Sequence, residues 1–410
     1  VSFALRILIP LTLLTAGCPT HQVLLKTPVR KDVDLAAVER AHFEELESHL
    51  LPEGLVVYMK RPPGTLRELY RQGTVQADGA YFQGYLLAML SLKWAVTRDR
   101  TVVALARRAW DAHHRLVAGS GYPGLVARSF GKNHPAEPGY IFRSDGSGDA
   151  LVGWIFGTCI FVHLVDDPAR RAEAAADARA VVRHMVKHDF KIHMAEEQPT
   201  KYGNFKTPVA GIPVGHYGMA MMALANLAVK LNPGDRECMD FLKKLVRSDY
   251  HRQSRSFYSW FPHHADNTMM YAMSLVAAWW CDETPRRRKY YLEGAEEFWT
   301  RTHDWQMAFY ALAYKFVGGN RLPASRRDAI DRLRNLPQDY HQFRSQKQNT
   351  VKRKRIVPLE RRPQTSSYWA QNVWKELTRR QGPLDPIARC RLDFLLAYWF
   401  GRYLGEYGER

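Results

Sequence analysis

Six stretches of this chain have the composition of helices without a polar face. They are residues 79–96 (GAYFQGYLLAMLSLKWAV), 149–165 (DALVGWIFGTCIFVHLV), 214–231 (VGHYGMAMMALANLAVKL), 266–281 (DNTMMYAMSLVAAWWC), 304–317 (DWQMAFYALAYKFV) and 391–405 (RLDFLLAYWFGRYLG). A helix that is apolar all round has to be enclosed, whereas one with a single apolar stripe lies at a surface. Stretches of the second kind follow the first five, at 99–117, 167–188, 234–249, 284–301 and 324–335, and residues 34–50 supply a sixth. Turn and cap chemistry divides the two kinds, as in Asp166-Asp167-Pro168 and Asn232-Pro233-Gly234-Asp235.

Six enclosed helices with six one-sided partners predict an all-α chain, an (α/α)6 toroid whose enclosed helices form an inner ring. An irregular multi-helix bundle is the alternative. Successive enclosed helices are spaced unevenly, by roughly 40 to 85 residues, which excludes a short-period solenoid. No alternating strand pattern of comparable strength is present. The apolar share of 46% and charged share of 24% fit a chain that buries a core. Five cysteines in 410 residues are too few for a disulfide framework.

The first eighteen residues carry an address. Arg6 is the only charge in residues 1–17, Ile7 to Leu14 are mostly apolar, and Thr15-Ala16-Gly17 precede Cys18. This is the layout of a secretory signal, too short to span a bilayer comfortably. The ending LLTAGC resembles a bacterial lipobox, although Thr15 stands where Leu is usual and only one positive charge precedes it. The resemblance implies cleavage before Cys18 and lipidation of that cysteine. The expected organisation is a signal peptide over 1–17, a lipidated Cys18 with a tether over 18–33, and a single domain over 34–410. The chain is then expected in the bacterial cell envelope, anchored to the membrane and facing the periplasm or the surface. The balance of 59 Lys+Arg against 41 Asp+Glu, net +18, favours anionic partners. In an envelope these are acidic polysaccharides or oligosaccharides and the membrane itself, not nucleic acid. The basic run at 344–362 (RSQKQNTVKRKRIVPLERR) reads as a solvated loop or a contact with anionic lipid or glycan.

Connections from an enclosed helix to its outer partner are short. Those from an outer helix to the next enclosed one are long: 118–148, 189–213, 250–265 and 336–386. Long loops on one end of a rigid scaffold usually carry function. They all arrive where the enclosed helices begin, an end that also gathers positive helix dipoles.

The residues with chemistry fall at that end. Arg143-Ser144-Asp145-Gly146-Ser147-Gly148-Asp149 precedes the second enclosed helix, and Asp145 and Asp149 there are candidates for acid, base or substrate clamp. The alternative is that Asp149 or Ser147 caps the helix and Asp145 shapes a turn. Asp78, Asp266, Asp304 and the pair His216-Tyr217 hold the same place in other enclosed helices. Lys201-Tyr202 and Arg128 lie in long loops, where a cation beside a tyrosine or histidine could neutralise a uronate while the ring takes a proton. Trp260 and Trp305 are the tryptophans best placed to stack on sugar. No cofactor or metal is expected: His184 and His188 lack the glutamate of a zincin signature, and the cysteines show no CxxC spacing. Cys159 and Cys281 read as buried thiols on apolar helices.

The architecture resembles the six-hairpin glycosidase-like superfamily. Tyr81-Phe82-Gln83-Gly84-Tyr85 and Leu395-Leu396-Ala397-Tyr398-Trp399-Phe400-Gly401-Arg402 look like family signatures without assignable chemistry. The resemblance implies an active site at the N-terminal ends of the enclosed helices, and a glycoside hydrolase or a polysaccharide lyase. A hydrolase would draw acid and base from Asp78, Asp145, Asp149 and Asp266. A lyase would use Tyr202, His216 or Tyr217 as base with Arg128 or Lys201 as neutraliser. A non-catalytic glycan-binding or scaffold lipoprotein is the second reading.

Overall fold

The computed structural model describes residues 32–60, 64–194, 197–209, 211–256, 265–319, 326–336, 343–362, 372–386 and 388–407. Its inner helices are α3 (Gly79–Thr97), α5 (Gly148–Leu164), α7 (Gly215–Leu231), α10 (Ala265–Cys281), α12 (Ala308–Phe316) and α14 (Leu392–Tyr403). Each packs on the next, and α14 returns to α3, which closes the ring. The fold is thus the all-α toroid expected from the hydropathy pattern. One feature was not legible there: α5 also packs directly on α10, two places on around the ring.

The outer layer consists of α1 (Leu35–Leu46), α4 (Arg100–Ala118), α6 (Pro168–Lys187), α8 (Arg236–Arg247), α11 (Pro285–Thr302) and α13 (Arg326–Arg334). In α4 the buried positions Val102, Val103, Ala106, Ala109, Trp110, His113 and Leu116 repeat at helical spacing and face inward. In α3, by contrast, every residue from Gly79 to Leu92 is buried. One continuous buried cluster runs from Leu46 to Tyr407. Among the described residues no helix is long and apolar enough to cross a membrane.

The tightest contact in the ring is between α3 and α5, and glycine makes it possible. A Cβ on Gly84 would stand 2.0 Å from the Gly153 carbonyl oxygen, and one on Gly153 would stand 2.5 Å from the Tyr81 Cα. Gly157 approaches the Gly84 Cα in the same way, at 2.8 Å from its own would-be Cβ. Three glycines therefore let two backbones touch where side chains would hold them apart.

Three expectations are corrected. The helix read over 34–50 is shorter: Asp34 caps α1 and a 3-10 turn follows at Glu47–His49. The short helix α2 (Leu66–Val75) was not foreseen, although Thr65 accepts from the Glu68 amide and Thr65-Leu66-Arg67-Glu68 has the form of a capping box. The long loops contain paired strands: β1 (Met59–Lys60) with β8 (Ala388–Arg389), β2 (Ser129–Gly131) with β3 (Ile141–Arg143), β4 (Lys191–His193) with β5 (Pro199–Asn204), and β6 (Phe343–Lys352) with β7 (Lys375–Pro386), all antiparallel. Residues 344–352 of the basic run are therefore strand β6, while residues 350–355 are exposed as a solvated run would be. The strand's sequence, Arg344-Ser345-Gln346-Lys347-Gln348-Asn349, has no apolar alternation, so periodicity was silent there. The remaining short helix, α9 (Tyr250–Gln253), lies in another long connection.

Candidate functional site

The two ends of the ring differ in how their helices begin. At the short turns, aspartates cap three outer helices, and α11, which starts after Thr284, has no side-chain cap: Asp99 accepts from the Thr101 amide at 2.8 Å, Asp167 from Arg170 at 3.2 Å and Asp235 from Cys238 at 3.0 Å. At the loop-bearing end, α3, α5, α7, α12 and α14 begin with no side-chain cap hydrogen bond. Asp78 and Ser147 occupy the N-cap positions of α3 and α5 without capping them. The simplest alternative reading of these residues, as ordinary caps, is therefore not what the structure shows. At α3 the backbone takes the place of a side-chain cap, since the Ala80 amide donates to the Arg128 carbonyl at 2.6 Å, but the positive dipole ends of the inner helices still gather at this end.

Around the start of α3 the β2–β3 hairpin builds a polar wall. Arg143 grips Asp145 with two hydrogen bonds, Nε to Oδ1 at 2.8 Å and Nη2 to Oδ2 at 3.0 Å, and its Nη1 donates to the Val75 carbonyl at 2.6 Å. Arg128 is buried and donates to the carbonyls of Asp145 (2.8 Å) and Ala77 (3.1 Å). The two arginines thus tie the hairpin to the helix start, and Asp145 is engaged in that tie. Asp78 is half-buried, accepts from the Tyr58 hydroxyl at 3.3 Å, and lies close enough to Arg143 to raise the basicity of that guanidinium.

Asp149 is half-buried in the first turn of α5, and Ser147 donates to its Oδ1. The neighbouring Gly148 shows what converges here: a Cβ on it would lie 3.0 Å from Met270 of α10, 3.2 Å from the Tyr202 carbonyl of β5 and 3.3 Å from the Phe205 ring. Gly153 touches Ala80 and Tyr81 one turn further in. Asp78 and Asp149 thus stand about one turn outward from one shared backbone contact, on adjacent inner helices. Tyr81 and Tyr85, whose hydroxyls are 2.6 Å apart, line the α3 side below them.

The remaining expected residues are more dispersed. His216 is buried with its ring 4.3 Å from that of Tyr217, which in turn lies 5.5 Å from Phe205. Burial pushes the Tyr217 phenol above its ordinary range, which disfavours it as a proton acceptor. Tyr202 is 63% exposed, with the Lys201 ammonium 5.2 Å from its ring centre. Trp305 is 5% exposed and packs edge-on against Trp374 at 5.2 Å, so its ring serves the packing of the ring's far side. Asp266 falls in the first turn of α10. Its side chain, and the whole of Trp260 and Cys18, lie outside the described residues.

Sequence reasoning missed a second polar group near the β2–β3 hairpin. Tyr70 and Tyr140 both donate to Glu53 Oε1, each at 2.6 Å, while the Lys132 ammonium lies 4.6 Å from the Tyr140 ring centre and 5.3 Å from that of Tyr70. Burial raises the Glu53 pKa, but the two phenols, its own backbone amide and Lys132 outweigh it and leave the carboxyl below its ordinary value. These partners are 17 and 87 residues from Glu53, and no local pattern joins them.

No family model matches the chain, and no curated protein matches it. Among solved structures, a GH76 alpha-mannanase of Bacteroides thetaiotaomicron matches with a TM-score of 0.44 and 10% sequence identity, over 91% of this chain and 96% of that one.

Proposed function

We propose that this chain is a lipid-anchored envelope protein that cleaves an acidic glycan at the loop-bearing end of its toroid, with Asp78 and Asp149 as the acid and base pair of a glycoside hydrolase. One observation supports the reading: two half-buried aspartates open adjacent inner helices without capping them, beside Arg128 and Arg143 of the β2–β3 hairpin. Paired carboxylates across a cleft are what glycosidic hydrolysis needs, one to protonate the leaving oxygen and one to activate water or form a covalent intermediate. Helix N-termini and the net charge of +18 favour a substrate with carboxylates or sulfates. Anchorage through Cys18 would keep that activity at the membrane surface.

Hydrolysis is preferred to β-elimination because Asp145 occupies Arg143, backbone carbonyls occupy Arg128, and burial keeps the Tyr217 phenol protonated. The test is to incubate the purified chain with acidic and neutral polysaccharides and follow reducing ends together with the ultraviolet absorbance of unsaturated uronates. New ends without absorbance, lost in Asp78→Asn and in Asp149→Asn with the helical circular dichroism intact, are expected. Absorbance would move the chemistry to Tyr202, His216 and Lys201. Retained binding without cleavage would leave a glycan-binding lipoprotein.

A further inference from the structure

Far from the loop-bearing mouth, where α5 and α10 end, three metal-ligating side chains meet inside the ring. Cys159 and Cys281 are free thiols, both buried, with sulfurs 3.3 Å apart. His163 lies one turn beyond Cys159, and a ring nitrogen of it is within 4.8 Å of both sulfurs. Its Nδ1 is 2.6 Å from the Cys159 carbonyl oxygen and 3.9 Å from the Cys159 sulfur. Its Nε2 is buried and has no hydrogen-bond partner. A neutral imidazole with one bare nitrogen can ligate a metal: Nδ1, the nitrogen measured against the Cys159 sulfur, would do so by releasing the Cys159 carbonyl, and Nε2 by turning toward the sulfurs.

We infer that Cys159, Cys281 and His163 form a binding site for a thiophilic divalent cation of the zinc class, which clips α5 to α10 across the ring. Zinc lies about 2.3 Å from thiolate sulfur and about 2.0–2.1 Å from imidazole nitrogen; the sulfurs are 3.3 Å apart and His163 Nδ1 is 3.9 Å from one of them, so side-chain shifts of under about 1 Å bring the donors to a shared ion. The donor set also suits its surroundings. A divalent ion with two thiolates and a neutral imidazole carries no net charge, so the complex is tolerated where an isolated ion would not be. As each metal–sulfur bond forms, its S–H bond breaks and the proton leaves to solvent, two protons per ion, with no change of oxidation state. The site lies where α5 meets α10 directly, although another inner helix comes between them in the chain. It was invisible to spacing rules because the cysteines are 122 residues apart.

The experiment titrates the full chain, held reduced by a phosphine, with Co2+ alone and then with Zn2+ as competitor. The expected result is one Co2+ per chain with a sulfur-to-cobalt charge-transfer band, displaced by Zn2+. The band should vanish in Cys159→Ser and in Cys281→Ser, persist in Cys18→Ser, Cys238→Ser and Cys390→Ser, and saturate only at higher metal in His163→Gln, which removes a direct ligand. In the unsubstituted chain, whose folding is not in question, Zn2+ should raise the thermal midpoint and release two protons per ion. The inference is overturned if the folded chain shows neither band nor midpoint shift. It is equally overturned if the band survives loss of both cysteines, or if the thiols join as a disulfide, with a mass lower by two hydrogens, in preference to taking metal.

Discussion

Gly84→Ala isolates the physics of the α3–α5 contact. In a helix without neighbours this substitution would stabilise by about 1 kcal/mol, because glycine carries the larger backbone entropy. Here the added methyl would stand 2.0 Å from the Gly153 carbonyl oxygen and 2.9 Å from the Gly153 Cα. Both are backbone atoms of a buried helix, so no side chain can rotate away. The helices have to separate by on the order of 1 Å, and overpacking of this kind costs about 1–3 kcal/mol or more. With the upper figure and the propensity gain set against it, the net loss is about 2 kcal/mol. The urea slope of small domains is about 1–3 kcal/mol per molar and grows with chain size, so in 410 residues the midpoint falls by about 0.5 M. Gly139→Ala is the control: nothing lies within 4 Å of its would-be Cβ, so its midpoint should hold or rise slightly. Urea unfolding followed by far-ultraviolet circular dichroism reads both. If Gly84→Ala is as stable as the parent, the close approach of α3 and α5 is refuted, and with it the placement of Asp78 beside Asp149.

Other consequences can be measured in the same way. Glu39 is buried and accepts through Oε1 from Lys93 Nζ at 2.8 Å and Trp399 Nε1 at 2.9 Å; Glu39→Gln leaves the enclosed ammonium uncompensated and should lower stability by about 3 kcal/mol in urea unfolding. Asp235→Ala removes a cap and should cost about 1 kcal/mol in the same assay. Burial lowers the pKa of His113 to about 3, so the folded state refuses a proton that the unfolded state accepts below about pH 6.5. Its contribution is thus fully present above the unfolded pKa and is lost progressively as the pH falls toward the folded one. The parent's stability should therefore fall more steeply between about pH 7 and about pH 5 than that of His113→Gln, by up to about 1.4 kcal/mol per pH unit; parallel slopes would show that His113 titrates normally.

What the sequence settled by itself is the layering. Residues 79–92 and 150–162 are apolar in every direction and can only be enclosed, while the stripe of α4 can only face inward, so inner and outer helices were assigned without coordinates. Asp78 and Asp149 were also legible as residues that open inner helices, because their place depends on local helix boundaries. Tertiary structure decided which of the polar residues are committed. Nothing local says that Arg143 holds Asp145, that Arg128 binds the carbonyls of Ala77 and Asp145, or that Trp305 packs on Trp374. The meetings of Cys159 with Cys281, and of Glu53 with Tyr140, were hidden for the same reason. Hydrophobic periodicity reports which face of an element turns inward, but not which distant residue it meets there. That depends on how closely two backbones approach, and between α3 and α5 it is set by the absence of three side chains, at Gly84, Gly153 and Gly157.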